Sequence, residues 1–192
     1  MISSDLLHLG EIIYMNNNLN LLLKFKNKEL IHSNVSMIMP SFMALKHDMC
    51  LKNFLETGEK KVLDRENITF AKEKSGYNIP VKLLIRMIPN LTSGLKFIGH
   101  CLELKTNSEL LQPDPDLTCN EIFMILTDLE FKFLGVTQNT STGIGIPFNS
   151  TNFKKFKDLT LLNIIPSLNE HKNKFEKLED YVRNIIIYQE TF

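Results

Sequence analysis

Within four positions the sequence sets His47, Asp48 and Cys50, in the stretch "KHDMC". A thiol, an imidazole and a carboxylate so close together raise two kinds of chemistry. The first is metal binding: at i, i+3 on a helix His47 and Cys50 share a face and supply half of a zinc site. Two further ligands at a known spacing are needed, and the sequence offers none. The second is a Cys-His dyad, which needs the thiol and the imidazole within hydrogen-bond reach beside oxyanion donors. A pair three residues apart on one helix rarely arranges that. The reading that follows is plain: His47 is a structural or surface polar residue, Asp48 is solvated, and Cys50 packs as a small hydrophobe.

The other reactive residue types are dispersed. His8, His32, His100 and His171 stand apart from one another and take structural or solvent-facing roles by default. "TGIGIP", from Thr142, contains Gly-x-Gly but lacks the third glycine and the strand-to-helix setting of a dinucleotide site, so it reads as a loop or helix break. Met37, Met39, Met43 and Met49 would suit a soft cofactor pocket, yet flexible core filling is the commoner use of methionine. With no nucleophile, base and oxyanion donors in one constellation, the chain is expected to be non-enzymatic, with no catalytic residue and no metal.

The bulk composition sets limits on the partners. The 192 residues are 43% hydrophobic and 23% charged, a globular balance, and 22 basic residues meet 22 acidic ones. Zero net charge supplies no global field for a phosphate backbone, so nucleic acid is not expected as a partner. Three cysteines, Cys50, Cys101 and Cys119, lack CxxC spacing and suit a reducing compartment. The opening "MISSDLLHLGEIIYMNN" does not read as a signal peptide, and no stretch approaches the ~20 apolar residues of a membrane span. A cytoplasmic protein, or the cytosolic part of a membrane protein, is expected.

The elements that must position these residues follow from periodicity. "MISS" and "EIIYMN" read as two brief strands about Gly10, and "NNLNLLLKFKNKELI" as short helices capped by Asn17 or Asn18. After Pro40, Met43, Leu51, Phe54 and Leu55 share one helical face, and Gly58 stands where the helix should stop. Three longer runs then begin at Lys60, broken at Ser75-Gly76 and at residues 90 to 94, as in a three-strand antiparallel meander. Residues 1 to 105 thus form an α+β domain, and 106 to 120, with two prolines and two aspartates, a linker.

Residues 121 to 192 echo the beginning. "IFMILTD" and "FKFLGVTQN" make a second strand pair, and "LNIIPSLNEHKNKF" parallels "VSMIMPSFMALKHDMCL": an apolar run, Pro-Ser, then a His-bearing helix. No second meander follows, so this unit is expected to be incomplete. It ends in a long helix in which Leu168, Phe175, Leu178, Val182 and Ile185 recur at helical steps.

On "GEIIYMN" (10 to 16), "LLLKFKNKELIHSNVSMIMP" (21 to 40), "HD" at 47 and 48, "ETGEKKV" and "KEKSGYNIPVKLLI", the first unit resembles a PAS domain, a sensory and interaction fold of signalling proteins. The resemblance covers residues 2 to 105. It is closest to the PAS regions of ciliate membrane proteins of the tiny macrocysts type, which also carry a degenerate second copy. It implies a five-stranded antiparallel sheet flanked by short helices, followed by a degenerate, incomplete PAS-like unit.

The resemblance also implies a pocket between sheet and helices, lined by Ile38, Phe54, Ile68, Phe70, Leu83, Ile85 and Ile98. Cofactor signatures are unmatched. Flavin-binding members carry a Cys directly after an Asn-type position, whereas Val35 follows Asn34; haem-binding members carry a His where Lys61 or its neighbour Lys60 stands, and a protonated Lys is no iron ligand. An unknown small ligand remains open. The implied function is a regulatory module in signalling, meeting a protein partner or a second copy through the sheet face from Lys60 to Lys105 or through the final helix. Two alternatives stand beside it, a ligand- or haem-holding sensor and a structural part of a membrane or ciliary assembly.

Overall fold

The computed structural model describes residues 1–26, 28–90, 94–105, 124–128, 131–147 and 158–164. The expected linker, Cys119, His171 and the expected C-terminal helix lie outside these residues. Among the described ones the chain is a mixed α+β fold. Strand β1 (Ile2–Ser3) is followed by helices α1 (Asn17–Leu22) and α2 (Ser41–Thr57), then by the strands β2 (Glu66–Lys72), β3 (Asn78–Asn90) and β4 (Gly94–Glu103).

Each helix begins and ends for a local reason. The Asn16 side chain, rather than Asn17 or Asn18, caps α1 by accepting from the Leu19 N–H at 3.0 Å. Lys24 ends that helix in the left-handed region at φ 59°. Helix α2 starts directly after Pro40, whose fixed φ suits a helix entry. It stops where Gly58 adopts φ 71° and donates its N–H to the Phe54 carbonyl, a left-handed C-terminal cap.

The three long runs form the expected meander, all antiparallel. Thr69 faces Val81, and Leu83 faces both Asn67 and Cys101. The β2–β3 connection is a three-residue loop, Lys74-Ser75-Gly76, closed by the Glu73 N–H on the Tyr77 carbonyl at 2.9 Å, with Gly76 at φ 99°. Among the described residues the sheet has four strands in the order β1-β4-β3-β2, not five. The segment expected as a further strand meets the two-residue β1 at the bridge of Ile12 to Ile2, with Gly10 N–H also donating to the Ser3 carbonyl, and forms no longer ladder. Its other edge pairs with a loop: the Ile12 N–H donates to the Ser33 carbonyl at 2.8 Å, and the Ile12 carbonyl accepts from the His32 N–H at 2.9 Å.

The core lies between the inner sheet face and the helical layer. Ile12, Leu30 and Val35 form one buried cluster, and Leu23, Ala71 and Val81 another. Phe97 is 1% exposed and takes the edge of the Phe54 ring, with centroids 5.8 Å apart. Helix α2 contributes half-buried residues only, so it covers the core as a lid on one face while Leu45, Met49 and Cys50 stay exposed. The expected packing of Cys50 as a small hydrophobe is therefore corrected: it sits on the outward side of that lid.

A second, smaller unit comprises β5 (Ile125–Thr127), β6 (Phe133–Val136), α3 (Gln138–Gly143) and α4 (Leu161–Ile164). Its hydrogen bonds repeat those of the first unit at a spacing of 121 residues. Leu23 N–H donates to the Leu19 and Leu21 carbonyls, and Ile144 N–H to those of Thr140 and Thr142. Phe25 N–H donates to Asn20, and Ile146 N–H to Ser141. A later bond recurs with five more residues between its partners in the second unit: Val35 N–H donates to the Gly10 carbonyl and Leu161 N–H to that of Phe131, with Gly10 and Phe131 both at positive φ. These hydrogen-bonded turns thus recur in two stretches of unlike sequence, "LNLLLKF" and "TSTGIGI".

Candidate functional site

Strand alternation decides which residues the helical layer covers. Thr69, Ala71, Val81, Leu83, Phe97 and Cys101 face it, and together with Leu23, Ile38, Met43 and His47 they surround a cavity of ≈ 140 Å³. The walls are almost wholly apolar. A wider depression of ≈ 580 Å³ lies between Tyr14 to Asn17 and Lys28 to His32, but it is an open hollow between loops.

Of the residues expected in the pocket, Ile38, Leu83 and Ile85 line the cavity; Phe70 borders it too, although between the inward Thr69 and Ala71 it shares the outward parity of Ile68. Phe54 does not; it is spent on Phe97. Ile68 pairs with Lys82 and Ile98 with Arg86, which places both on the opposite face of the sheet. That outer face is also partly apolar, with Ile68 44%, Ile88 42% and Leu102 63% exposed among Lys82, Arg86, Lys96 and His100. Two apolar faces remove the alternation that would have told inside from outside.

His47, Thr69 and Cys101 were not expected here, and they supply the cavity's polar character. The Thr69 hydroxyl reaches only the Met43 sulfur, 3.7 Å away. Burial pushes the Cys101 thiol up to about 11, with Glu103 adding to the shift, so the thiolate is disfavoured and the side chain is a poor nucleophile. Burial likewise lowers the His47 pKa below its ordinary value, and the nearby Asp48 carboxylate only partly opposes it. The ring is therefore neutral at pH 7. Its Nδ1 is shielded from solvent, makes no hydrogen bond, and stands 3.7 Å from Asp48 Oδ1, beyond hydrogen-bond reach.

The His47, Asp48 and Cys50 cluster is therefore divided three ways. His47 turns to the cavity, Cys50 lies on the exposed side, and Asp48 accepts from Asn34 Nδ2 at 3.2 Å through both carboxylate oxygens. Asn34 also donates to the Leu9 carbonyl at 3.2 Å and accepts from Ser36 N–H at 2.8 Å. It is a clasp joining α2 to the turn at Gly10, where a Cβ would come within 2.9 Å of Asn34 Nδ2. Among the described residues no three His, Cys, Asp or Glu side chains converge as a metal site.

The second unit docks beside this site. Tyr77 joins the apolar cluster of Phe133 and Val136, its hydroxyl is 3.2 Å from Ser141 Oγ, and Gly135 lies so close to the Asn78 side chain that a Cβ would overlap it. Lys24, next to the cavity-lining Leu23, places Nζ 2.6 Å from the buried Glu73 carboxylate and 2.8 Å from Gln138 Oε1. A lysine in the left-handed region gives no local sequence signal for such a role.

Among the described residues no helix is long and apolar enough to cross a membrane. No protein-family model matches the chain.

Proposed function

We propose that this chain is a non-enzymatic regulatory module of PAS type, followed by a degenerate second copy, that holds a small ligand beneath its sheet and meets a protein partner on the sheet's outer face. The observation that carries the reading is the partly open, largely apolar cavity of ≈ 140 Å³ between one sheet face and a lid of helices. The order of parts supports the family likeness: a short strand and turn, small helices, one longer helix, then a three-strand meander. The repeated hydrogen bonds of the second unit support a tandem origin.

Regulation would proceed by a shift between packing states, since a ligand moves an equilibrium only by binding one state better. Leu23 lines the cavity and Lys24 holds both Glu73 and Gln138, so a change in helix packing reaches the docked unit through adjacent residues. The exposed Ile68, Ile88 and Leu102 favour a protein contact on the outer face. Comparison of native and denatured masses of the purified chain tests the reading. Extra mass lost on denaturation supports a held ligand; a bare monomer that also binds no added small molecule and no partner overturns it.

A further inference from the structure

We infer that the outer sheet face docks an acidic amphipathic helix of a partner protein, a specification that rests on the outer-face contact proposed above. Pairing across the sheet sets the pattern. Ile68, Lys82 and Leu102 stand in one row across β2, β3 and β4, and further along Arg86 faces Ile98 and Ile88 faces Lys96. Cation and hydrocarbon thus alternate over the face. Ile68, Ile88 and Leu102 are 44%, 42% and 63% exposed, and Arg86 is exposed as well.

Charge selects the occupant. By strand alternation the outward charged positions of β2 to β4 are Lys72, Lys82, Arg86 and Lys96 against the single carboxylate of Glu66. Glu66 is spent on Lys82 at 3.2 Å, and among the described residues no carboxylate forms an ion pair with Lys72, Arg86 or Lys96. A second copy meeting this face about a two-fold axis would set these cations against one another. Aliphatic side chains such as Ile68, Ile98 and Leu102 give nucleic-acid bases no stacking platform. A lipid surface takes a contiguous apolar side, which the interspersed cations interrupt here. An acidic helix answers both features of the face. Ile68 and Leu102 lie two strand spacings apart, about 10 Å, the axial rise of about seven helical residues. Aliphatic side chains at i and i+7 of a helix crossing the strands therefore reach both, while a carboxylate at i+3 or i+4 meets Lys82 and one on the helix flank meets the long Arg86 side chain.

Binding of synthetic peptides to the full chain gives the test. One is a labelled amphipathic helix of about 20 residues with Leu on one face and Glu beside it; the other carries Lys in place of Glu. The expected result by fluorescence anisotropy is saturable binding of the acidic peptide, about tenfold tighter than the basic one and tighter still at low salt, with amide shifts at Ile68, Lys82 and Leu102. Arg86→Glu and Leu102→Ser, both at exposed positions, should each weaken it about five- to tenfold, with amide spectra establishing that each variant is folded. No saturable binding of the acidic peptide, equal binding of the basic one, or unchanged affinity in both folded variants overturns the inference, as does retention on phosphatidylserine vesicles or on RNA in the peptide's place. If the acidic peptide fails while sedimentation shows a dimer that Leu102→Ser abolishes, only this partner class falls; a monomer that binds neither peptide, vesicle nor RNA removes the outer-face contact itself.

Discussion

Asn34 donates through one amide nitrogen to both carboxylate oxygens of Asp48, at 3.2 Å each, and so fixes the second turn of α2 to the chain that turns at Gly10. This bond accounts for the acidic member of the "KHDMC" cluster. Asp48 is a hydrogen-bond acceptor on the exposed side of the lid itself.

Removing that acceptor should loosen the lid. Asp48→Ala strips Asn34 of a charge-assisted partner at an accessible site, so a loss of about 1 kcal/mol is expected, in the range for one net hydrogen bond. Urea unfolding reads it as a lower midpoint at constant slope. An unchanged midpoint would mean that the clasp contributes nothing to holding α2.

His47 gives the fold an acid sensitivity. Its folded pKa lies below the unfolded value of about 6.5, so the unfolded chain binds the proton more readily. Stability from this group is full above the unfolded value and falls as pH drops below it, until the folded pKa is passed. His47→Phe should flatten the dependence of the melting temperature on pH as it falls below about 6.5. A variant as acid-sensitive as the parent in that window would show that other groups control it.

The second unit is held by a few identifiable contacts. Lys24→Ala leaves the Glu73 carboxylate buried with Ser75 as its remaining side-chain partner. It should cost about 3 kcal/mol, the lower end for breaking a buried pair, since Lys24 itself is half exposed. Gly135→Ala drives a Cβ into Asn78 and should undock the unit without unfolding the sheet. Hydrogen exchange would show faster exchange in β6 and α3 with β2 to β4 unaffected; equal loss in both regions would mean the two units unfold together.

Cysteine labelling separates the two sides of the lid. Cys50 is exposed and should react with a maleimide in the folded protein. Cys101, with its pKa pushed up to about 11 and its side chain against the cavity, should resist until the chain unfolds. Peptide mass mapping distinguishes the sites. Comparable folded-state rates would show that the cavity opens to reagent readily.

The sequence by itself determined the elements whose signals are local. Pro40 and Gly58 bracket α2 through backbone dihedrals, Ser75-Gly76 sets the β2–β3 turn, and three β-compatible runs without an intervening helix lead to a meander. Tertiary structure alone decided which face each strand buries. Ile68 and Ile98 looked like pocket residues because they are apolar, yet Thr69 and Cys101 occupy the inner positions, since both sheet faces carry hydrocarbon and parity is set by pairing. It decided likewise that His47 faces a cavity while Cys50, three residues on, meets solvent. A helix with a weakly amphipathic sequence does not specify its own rotation; the clasp of Asp48 on Asn34 and the packing of Phe54 on Phe97 do.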